Sequence, residues 1–371
     1  MPALVVAHVY YLYHKGLQAA LGIRGAPFAY HSGWEGTLPM VSVIIAAHDQ
    51  EDLMGARLAN IAAQDYPQDR IEIIVAADGC TDRTVEIAQA AGARLLEHPT
   101  QIGKSPIQNE AMQIARGSFF VFTGTRSSFE PDFLRKVIDA FADPGVGAVD
   151  GHLRYQPSDK LGLGESQGTY WRMELAIRQL ESQLGQLLVC SGACVATRKE
   201  ATPPFPEHIG EDCVIPLAAR RLGYYTVHLP EAIAYDRMKS DYEAELAARI
   251  RMTLRNWQGT LLYPDLINPL RSPLSSFVLF SHKLLRWMLP YIVLVSFVAT
   301  VILAMMGNAF GFLALFGYAA TLLLVVAAWC DAERQQPGRL SALWTFAIAN
   351  WGFAIALARA FRNEKTNAYH K

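Results

Sequence analysis

Metal-ligand spacing is the first thing missing from this chain. Its five cysteines (Cys80, Cys190, Cys194, Cys213 and Cys330) form no CxxC pair, and no histidine stands at zinc-ligand spacing from any of them. Packing as small core residues is the plain role for Cys190 and Cys194, and it suits a reducing compartment. A surplus of either charge is missing too. The 33 Lys and Arg offset 34 Asp and Glu, a balance that gives no support to nucleic-acid binding. Charge is sparse, at 18% of residues, and a mean hydropathy of +0.14 is too apolar for an ordinary soluble protein. The apolar excess lies beyond Phe277. At the other end, PALVVAHVYYLY (residues 2–13) falls short of the ~20 residues of a span. His14 and Lys15 follow it without a small-residue cleavage site. An interfacial helix through Ala20 is expected there, then a linker over residues 25–36.

With 371 residues the chain exceeds one typical domain. Three regions are expected: a membrane-associated helix and linker (1–39), a mixed domain (40–268), and a membrane region (269–371). In the mixed domain, β-branched runs alternate with helical stretches. VSVIIA (41–46) and IEIIVA (71–76) are long enough for buried parallel strands. The turn Asp78-Gly79-Cys80-Thr81-Asp82 can cap a helix over 83–91. Further strands are expected at 94–96, 119–122, 146–150, 153–155, 192–197 and 225–229. The remaining helices fall at 52–64, 105–115, 165–184, 211–223 and 242–259. This order implies an α/β fold, a mostly parallel sheet with helices on both faces. Ligands of such sheets sit at the carboxyl ends of the strands, which sets Gly124, Thr125 and Arg126 in front of the substrate.

Residues 273–287 read as an amphipathic helix in the membrane interface, with Lys283 and Arg286 beside Phe277, Phe280, Leu284 and Trp287. The charge-free runs 288–306 and 309–329 are long enough to span. A third candidate, 340–358, is interrupted by Asn350, so two to three transmembrane helices are expected. A multi-pass protein of the inner (cytoplasmic) membrane follows, with the mixed domain in the cytoplasm. The loop holding Arg334 and Arg339 is then also inside, as the positive-inside rule prefers. Three full spans would export Arg359, Arg362, Lys365 and Lys371 against that rule. Either the third segment is re-entrant, or tertiary packing overrides the charge bias.

Eight pieces in order carry a resemblance over roughly residues 40–290: VSVIIAAHDQED, AADGCTDRT, GKSPIQNEAMQIARG, FTGTRSSFEPDFL, DPGVGAVDG, SGACVATRKE, IGEDCVIPLAARRLGYY and HKLLRWMLP. With them the chain resembles membrane-bound family 2 glycosyltransferases of the GT-A fold. The resemblance implies a nucleotide-diphosphate sugar as donor and a lipid-linked or polysaccharide acceptor. It sets Asp78 at the nucleotide base or ribose, and Lys104 near the base or diphosphate. Asp212 of the Glu211-Asp212 pair becomes the general base. Arg249 and Arg251 fall near the diphosphate, and Trp257 on the acceptor wall. Taken alone, Asp78 is a helix cap, Glu211 and Asp212 are favourable acids in a first helical turn, and a basic helix face meets lipid headgroups.

Two departures stand out. The family's DxD-type turn holds Mg²⁺ or Mn²⁺ against the diphosphate, but here it reads Gly124-Thr125-Arg126, and Arg repels a cation. No metal or other cofactor is therefore assigned. The family's Asn-Glu pair after the first strand reads Asp49-Gln50, with Asp49 kept near the nucleotide. In one reading Arg126, with Lys104 or Arg251, neutralises the diphosphate directly, as guanidinium suits phosphate. In the other the domain is a pseudoenzyme, a binding or scaffolding subunit of a membrane protein complex. The processivity motif QxxRW is not matched at Arg255-Asn256-Trp257. A transporter is disfavoured because the spans carry neither internal charges nor repeats. A nucleotidyltransferase would need a Gly-rich basic loop where AAHDQED stands.

Overall fold

A computed structural model describes residues 2–26, 28, 33–156, 163–237, 242–333 and 341–365. Arg334, Arg339 and Lys371, which carried part of the charge argument, lie outside the described residues, as do residues 27 and 29–32 of the linker. The chain opens as one helical rod: α1 (Pro2–Ala7), a π-helical segment His8–Leu12, and α2 (Tyr13–Arg24). The helix expected to end near Ala20 thus continues to Arg24. It buries Tyr13 and Leu17 against Ile177 and Leu184 of the mixed domain.

That domain runs β1 (Val41–Ala47), α3 (Glu51–Ala62), β2 (Ile71–Asp78), α4 (Thr84–Ala90), β3 (Arg94–His98), α5 (Lys104–Ile114), β4 (Phe119–Thr123), β5 (Ser128–Phe129), α6 (Phe133–Ala140), β6 (Val146–Gln156), α7 (Leu163–Gln183), β7 (Val195–Arg198), α8 (Glu211–Arg221), β8 (Tyr225–Arg237) and α9 (Tyr242–Leu261). One eight-stranded sheet forms in the order β3-β2-β1-β4-β7-β6-β8-β5. β1 pairs in parallel with β2 and β4, setting Val41 opposite Ile71 and Phe119. Every residue of β1 is buried, because α3 and α6 cover one face of the sheet and α5 and α8 the other. Both faces being dry is why this strand reads as an unbroken apolar run.

β7 enters antiparallel between β4 and β6. The strands expected separately at 146–150 and 153–155 are one strand, β6, with a register irregularity between Gly151 and His152. Gly151 is required there, since a Cβ would lie 2.8 Å from the Phe133 ring and 3.1 Å from Cys194.

After α10 (Pro264–Ile267) come α11 (Pro273–Val278), a π-helical segment Leu279–Leu284 and α12 (Leu285–Met305). They form one continuous helix. α13 (Ala309–Glu333) and α14 (Ser341–Phe361) complete the chain. Three helical stretches, Pro273–Met305, Ala309–Cys330 and Leu343–Phe361, are long and apolar enough to cross a membrane.

The segment 273–287, expected in the headgroups, instead turns its basic face into the protein. Lys283 and Arg286 are 8% and 2% exposed, and both donate to the buried carboxylate of Glu174 on α7, at 2.6 and 2.9 Å. The His282 ring lies between Glu174 (3.1 Å) and Glu181 (2.7 Å), and Glu181 also accepts from the Tyr13 hydroxyl. Arg178, one turn along α7, faces Glu174 and donates to Asp150 of β6 at 3.2 Å. Asp150 in turn receives the Ser191 amide at 2.6 Å and lies 2.8 Å from His228. A continuous buried ionic chain therefore links the sheet, α7, the N-terminal rod and the first membrane helix. Burial opposes ionisation of Glu174, but Lys283, His282 and Arg286 hold its carboxyl well below the ordinary range. The isosteric Glu174→Gln keeps the shape and strands the cations, a class of change that costs about 3–5 kcal/mol. A lower Tm of the purified protein at neutral pH is expected; an unchanged Tm would show that the chain contributes nothing to holding these parts together.

Candidate active site

The carboxyl ends of β1, β2 and β4 meet at one rim of the sheet, as a parallel order requires. Asp49 holds a left-handed conformation, φ +49, and its carboxylate accepts from the Thr81 amide at 2.7 Å. That hydrogen bond keeps its carboxyl below the ordinary range. Asp78 is completely enclosed: its two oxygens accept from the amides of Ile102 (2.6 Å) and Gly103 (2.8 Å). It therefore fastens the loop that delivers Lys104, and does not line the cavity. Under the β4 end, buried Arg57 donates to Thr123 Oγ1 at 2.8 Å and lies 4.0 Å over the Phe129 ring. Burial brings its pKa down to about 9. Nothing in its sequence surroundings marked Arg57 as a support for this turn.

The Glu211-Asp212 pair opens α8, where the helix N-terminus favours acids. Structure divides the two. Glu211 points inward to an ion pair with Lys104. The expectation that Lys104 faces the donor is corrected to a tie between the Asp78-held loop and α8. Asp212 is half-buried and lines a cavity of about 300 Å³. Gly210 leaves room beside it, for a Cβ there would collide with the Arg255 guanidinium and the Asp212 carboxylate. Burial pushes Asp212 up; Arg255 draws it down and Glu211 pushes it up again, leaving it above the ordinary value. Burial also opposes ionisation of Glu211, but Lys104 and then Arg255 hold it below. Environments that drive two neighbouring carboxyls apart in this way separate a fixed anion from a group able to take a proton.

The same cavity is lined by Arg126 from the β4–β5 turn and by Arg249 and Arg251 from α9. Arg251 is held below its ordinary pKa first by burial, then by the like charges of Arg255 and Arg126. Three guanidiniums thus repel one another beside Asp212, an arrangement that an anion would relieve. The sequence placed Arg126 and Arg251 at the diphosphate but gave Arg255 no role there, although its place one turn further along α9 was the available signal. Trp257 is corrected: it packs against Trp287 (6.2 Å between centroids) and Phe361 (6.5 Å), away from the cavity. The aromatic walls are instead Tyr155, Trp171, Trp287 and Phe353.

Gly124-Thr125-Arg126 does not fit a divalent cation. It offers no carboxylate, Arg126 adds positive charge, and the Thr125 hydroxyl is engaged, donating to Gln50 Oε1 at 2.8 Å. Among the described residues, one group has ligand atoms close enough for a metal: Asp49, Cys80 and Asp82. Both of its carboxylates already accept backbone amides, from Thr81 (2.7 Å) and from Glu51 (2.9 Å).

Comparisons with known proteins bear on the family and the fold. The family model "Glycosyl transferase family 2" matches residues 42–203, and "Glycosyl transferase family group 2" matches residues 126–330. An N-acetylglucosaminyltransferase of Rhizobium meliloti (strain 1021) is 26% identical over 260 residues, 65% of this chain and 61% of the relative. One of Sinorhizobium fredii is 26% identical over 271 residues, 67% of this chain and 65% of the relative. The chain therefore spans under two thirds of the length of these relatives. The fold is shared with a mannosyltransferase from Pyrobaculum calidifontis solved with GDP-Man and Mn²⁺, at TM-score 0.72 and 20% identity over 98% of both chains. The chain belongs to the family 2 glycosyltransferases, with a GT-A-type domain joined to membrane-type helices.

Proposed function

We propose that this protein transfers a sugar from a nucleotide-diphosphate sugar to a lipid-linked acceptor at the cytoplasmic face of the inner membrane, without a metal at the β4–β5 turn. The observation that carries the proposal is the make-up of one cavity. A carboxyl with a raised pKa, the guanidiniums of Arg126 and Arg251, and two side chains of membrane-type helices, Trp287 and Phe353, share its walls. The last two favour a lipid-linked acceptor over a free polysaccharide. In a single displacement, Asp212 takes the proton of the acceptor hydroxyl as its oxygen bonds to the anomeric carbon. The bond from that carbon to the diphosphate oxygen breaks, and Arg126 and Arg251 receive the negative charge that develops there. Asp78, Asp49 and Lys104 act behind this by fixing the loops at the strand ends.

UDP-GlcNAc and GDP-Man, suggested by the names of the relatives and of the structural neighbour, are the first donors to test. The absent carboxylates favour one other reading, a donor site that has lost chemistry in a scaffolding subunit. Turnover decides between them.

Asp212→Asn is expected to lower kcat by about 10²–10⁴-fold and leave donor affinity within a factor of a few. Because burial raises Asp212 and the base acts deprotonated, the wild-type rate should be lost as pH decreases, beginning at a pH above the ordinary carboxylate range. An acid limb that survives in Asp212→Asn would assign the proton to another group. Arg126→Ala and Arg251→Ala should each weaken donor binding by roughly 10–100-fold, since a charge-assisted hydrogen bond contributes about 1.5–3 kcal/mol. EDTA should change neither binding nor rate. Loss of activity in EDTA, restored by Mn²⁺, would overturn the metal-free reading; no binding of any nucleotide sugar would overturn the transferase.

A further inference from the structure

Composition makes α14 a third crossing, but its contacts run the other way. The hairpin of α12 and α13 shows what crossing looks like here. Gly311 sits against Ala304, and the Phe297 and Tyr318 rings stand 5.3 Å apart. Equal steps away from the Gly307 turn thus keep the two helices side by side. Their outer faces expose Leu294, Val298, Ile302, Phe312, Phe316 and Leu323. From Met288 to Met306 such a helix rises about 27 Å, close to the ~30 Å hydrocarbon thickness.

α14 meets both helices of that hairpin, and its side-chain contacts with the first fall at the foot. Ala349, Phe353 and Leu357 cluster with Leu284 and Trp287, and Tyr291 donates to Ala354 O at 2.8 Å. These partners occupy two turns of the first membrane helix, roughly 10 Å of its length. Along α9 the contact is continuous. Gly352 faces Leu246 and Arg249 at 3.4 Å, Phe361 meets Trp257, and Glu364 O accepts from Gln258 at 2.9 Å. Twelve residues of one helix accompany twelve of the other in the same direction, and α9 belongs to the α/β domain. The start of α14 meets the N-terminal rod, and its end returns to the α/β domain. Phe346 lies 5.6 Å from Tyr10, whose ring underlies Arg286, while Lys365 reaches Glu207. Buried positions 349, 352, 353, 356 and 357 trace one helical face. Trp351, 63% exposed, stands opposite that face; at the helix end Phe361 touches Trp257 with one edge, stays 71% exposed, and sits beside exposed Arg359 and Arg362. Tryptophan and arginine flanking an apolar face suit the headgroup boundary.

We propose that α14 lies in the plane of the membrane on the side of the α/β domain, immersing Trp351 and Phe361 in the bilayer boundary, so that the described chain crosses twice. Arg359, Arg362 and Lys365 then remain with the α/β domain, which removes the conflict with the positive-inside rule. Phe353 becomes a wall between the cavity and the lipid surface. This holds whether or not the cavity is catalytic.

Sidedness tests it. In a full-length Cys330→Ser background, Glu97→Cys, Asn308→Cys and Lys365→Cys are each expressed in cells and treated with a membrane-impermeant maleimide before and after permeabilisation. The parent's labelling is subtracted. Asn308→Cys is expected to label on one side, and Glu97→Cys and Lys365→Cys together on the other. Lys365→Cys labelling with Asn308→Cys would mean that α14 crosses and would overturn the proposal. Glu97→Cys labelling with Asn308→Cys would overturn the two-crossing frame beneath it.

Discussion

The first membrane helix meets the α/β domain at one buried carboxylate. Glu174 sits among Lys283, Arg286, His282 and Arg178 with almost no exposure. Isolated, such an ion would be intolerable in an apolar interior. It persists because four cationic partners come to it from two elements, and because Arg178 hands the charge on to Asp150 in the sheet. Buried ion pairs add little stability over well-packed apolar groups, yet they are costly to break and allow few alternative arrangements. Here the constraint is geometric. The first membrane helix can leave the domain only at the angle that brings His282, Lys283 and Arg286 onto one carboxylate, and the π-helical turn carrying His282 and Lys283 supplies that alignment.

The same chain reaches the cavity. Asp150 takes the Ser191 amide, and Ser191 and Gly192 form the wall beside Asp212. Lys104 and Glu211 make a second tie, from the loop fastened by Asp78 to the first turn of α8. A cavity wall, the Asp212 carboxyl beside it and the angle of the membrane helix are therefore set by two ionic links.

The strands were legible because both sheet faces are covered, so the apolar runs of β1, β2 and β4 carry no ambiguity of period. The Glu211-Asp212 turn was legible because acids at a helix start have a local cause. What escaped reading depends on partners distant in sequence. Lys283 and Arg286 look like headgroup ligands until Glu174, more than a hundred residues away, is folded against them. Trp257 looks like an acceptor wall until Trp287 and Phe361 close over it. The tail of β8 was cut short because Glu231 interrupts the apolar pattern where β6 also slips register. α14 is the clearest case, since length and hydropathy are the same for a helix that crosses a membrane and one that lies along it. Only the series of contacts with α9 distinguishes them.

The two departures from the family pattern bear on activity through a single hydrogen bond. Where the pattern has a glutamate after the first strand and aspartates after the fourth, this chain has Gln50 and Gly124-Thr125-Arg126, and the Thr125 hydroxyl donates to the Gln50 amide oxygen. Gln50 also donates to the carbonyls of His48 and Asp49. At the pattern's two aspartate positions stand Gly124 and Arg126, and Arg126 brings a guanidinium to the side where Arg251 and Arg255 already concentrate positive charge. Positive charge is thus present in covalently attached form, in the same cavity as a carboxyl whose pKa is raised. That combination has a physical use in phosphate-leaving-group chemistry, and it argues for a site rebuilt around arginine.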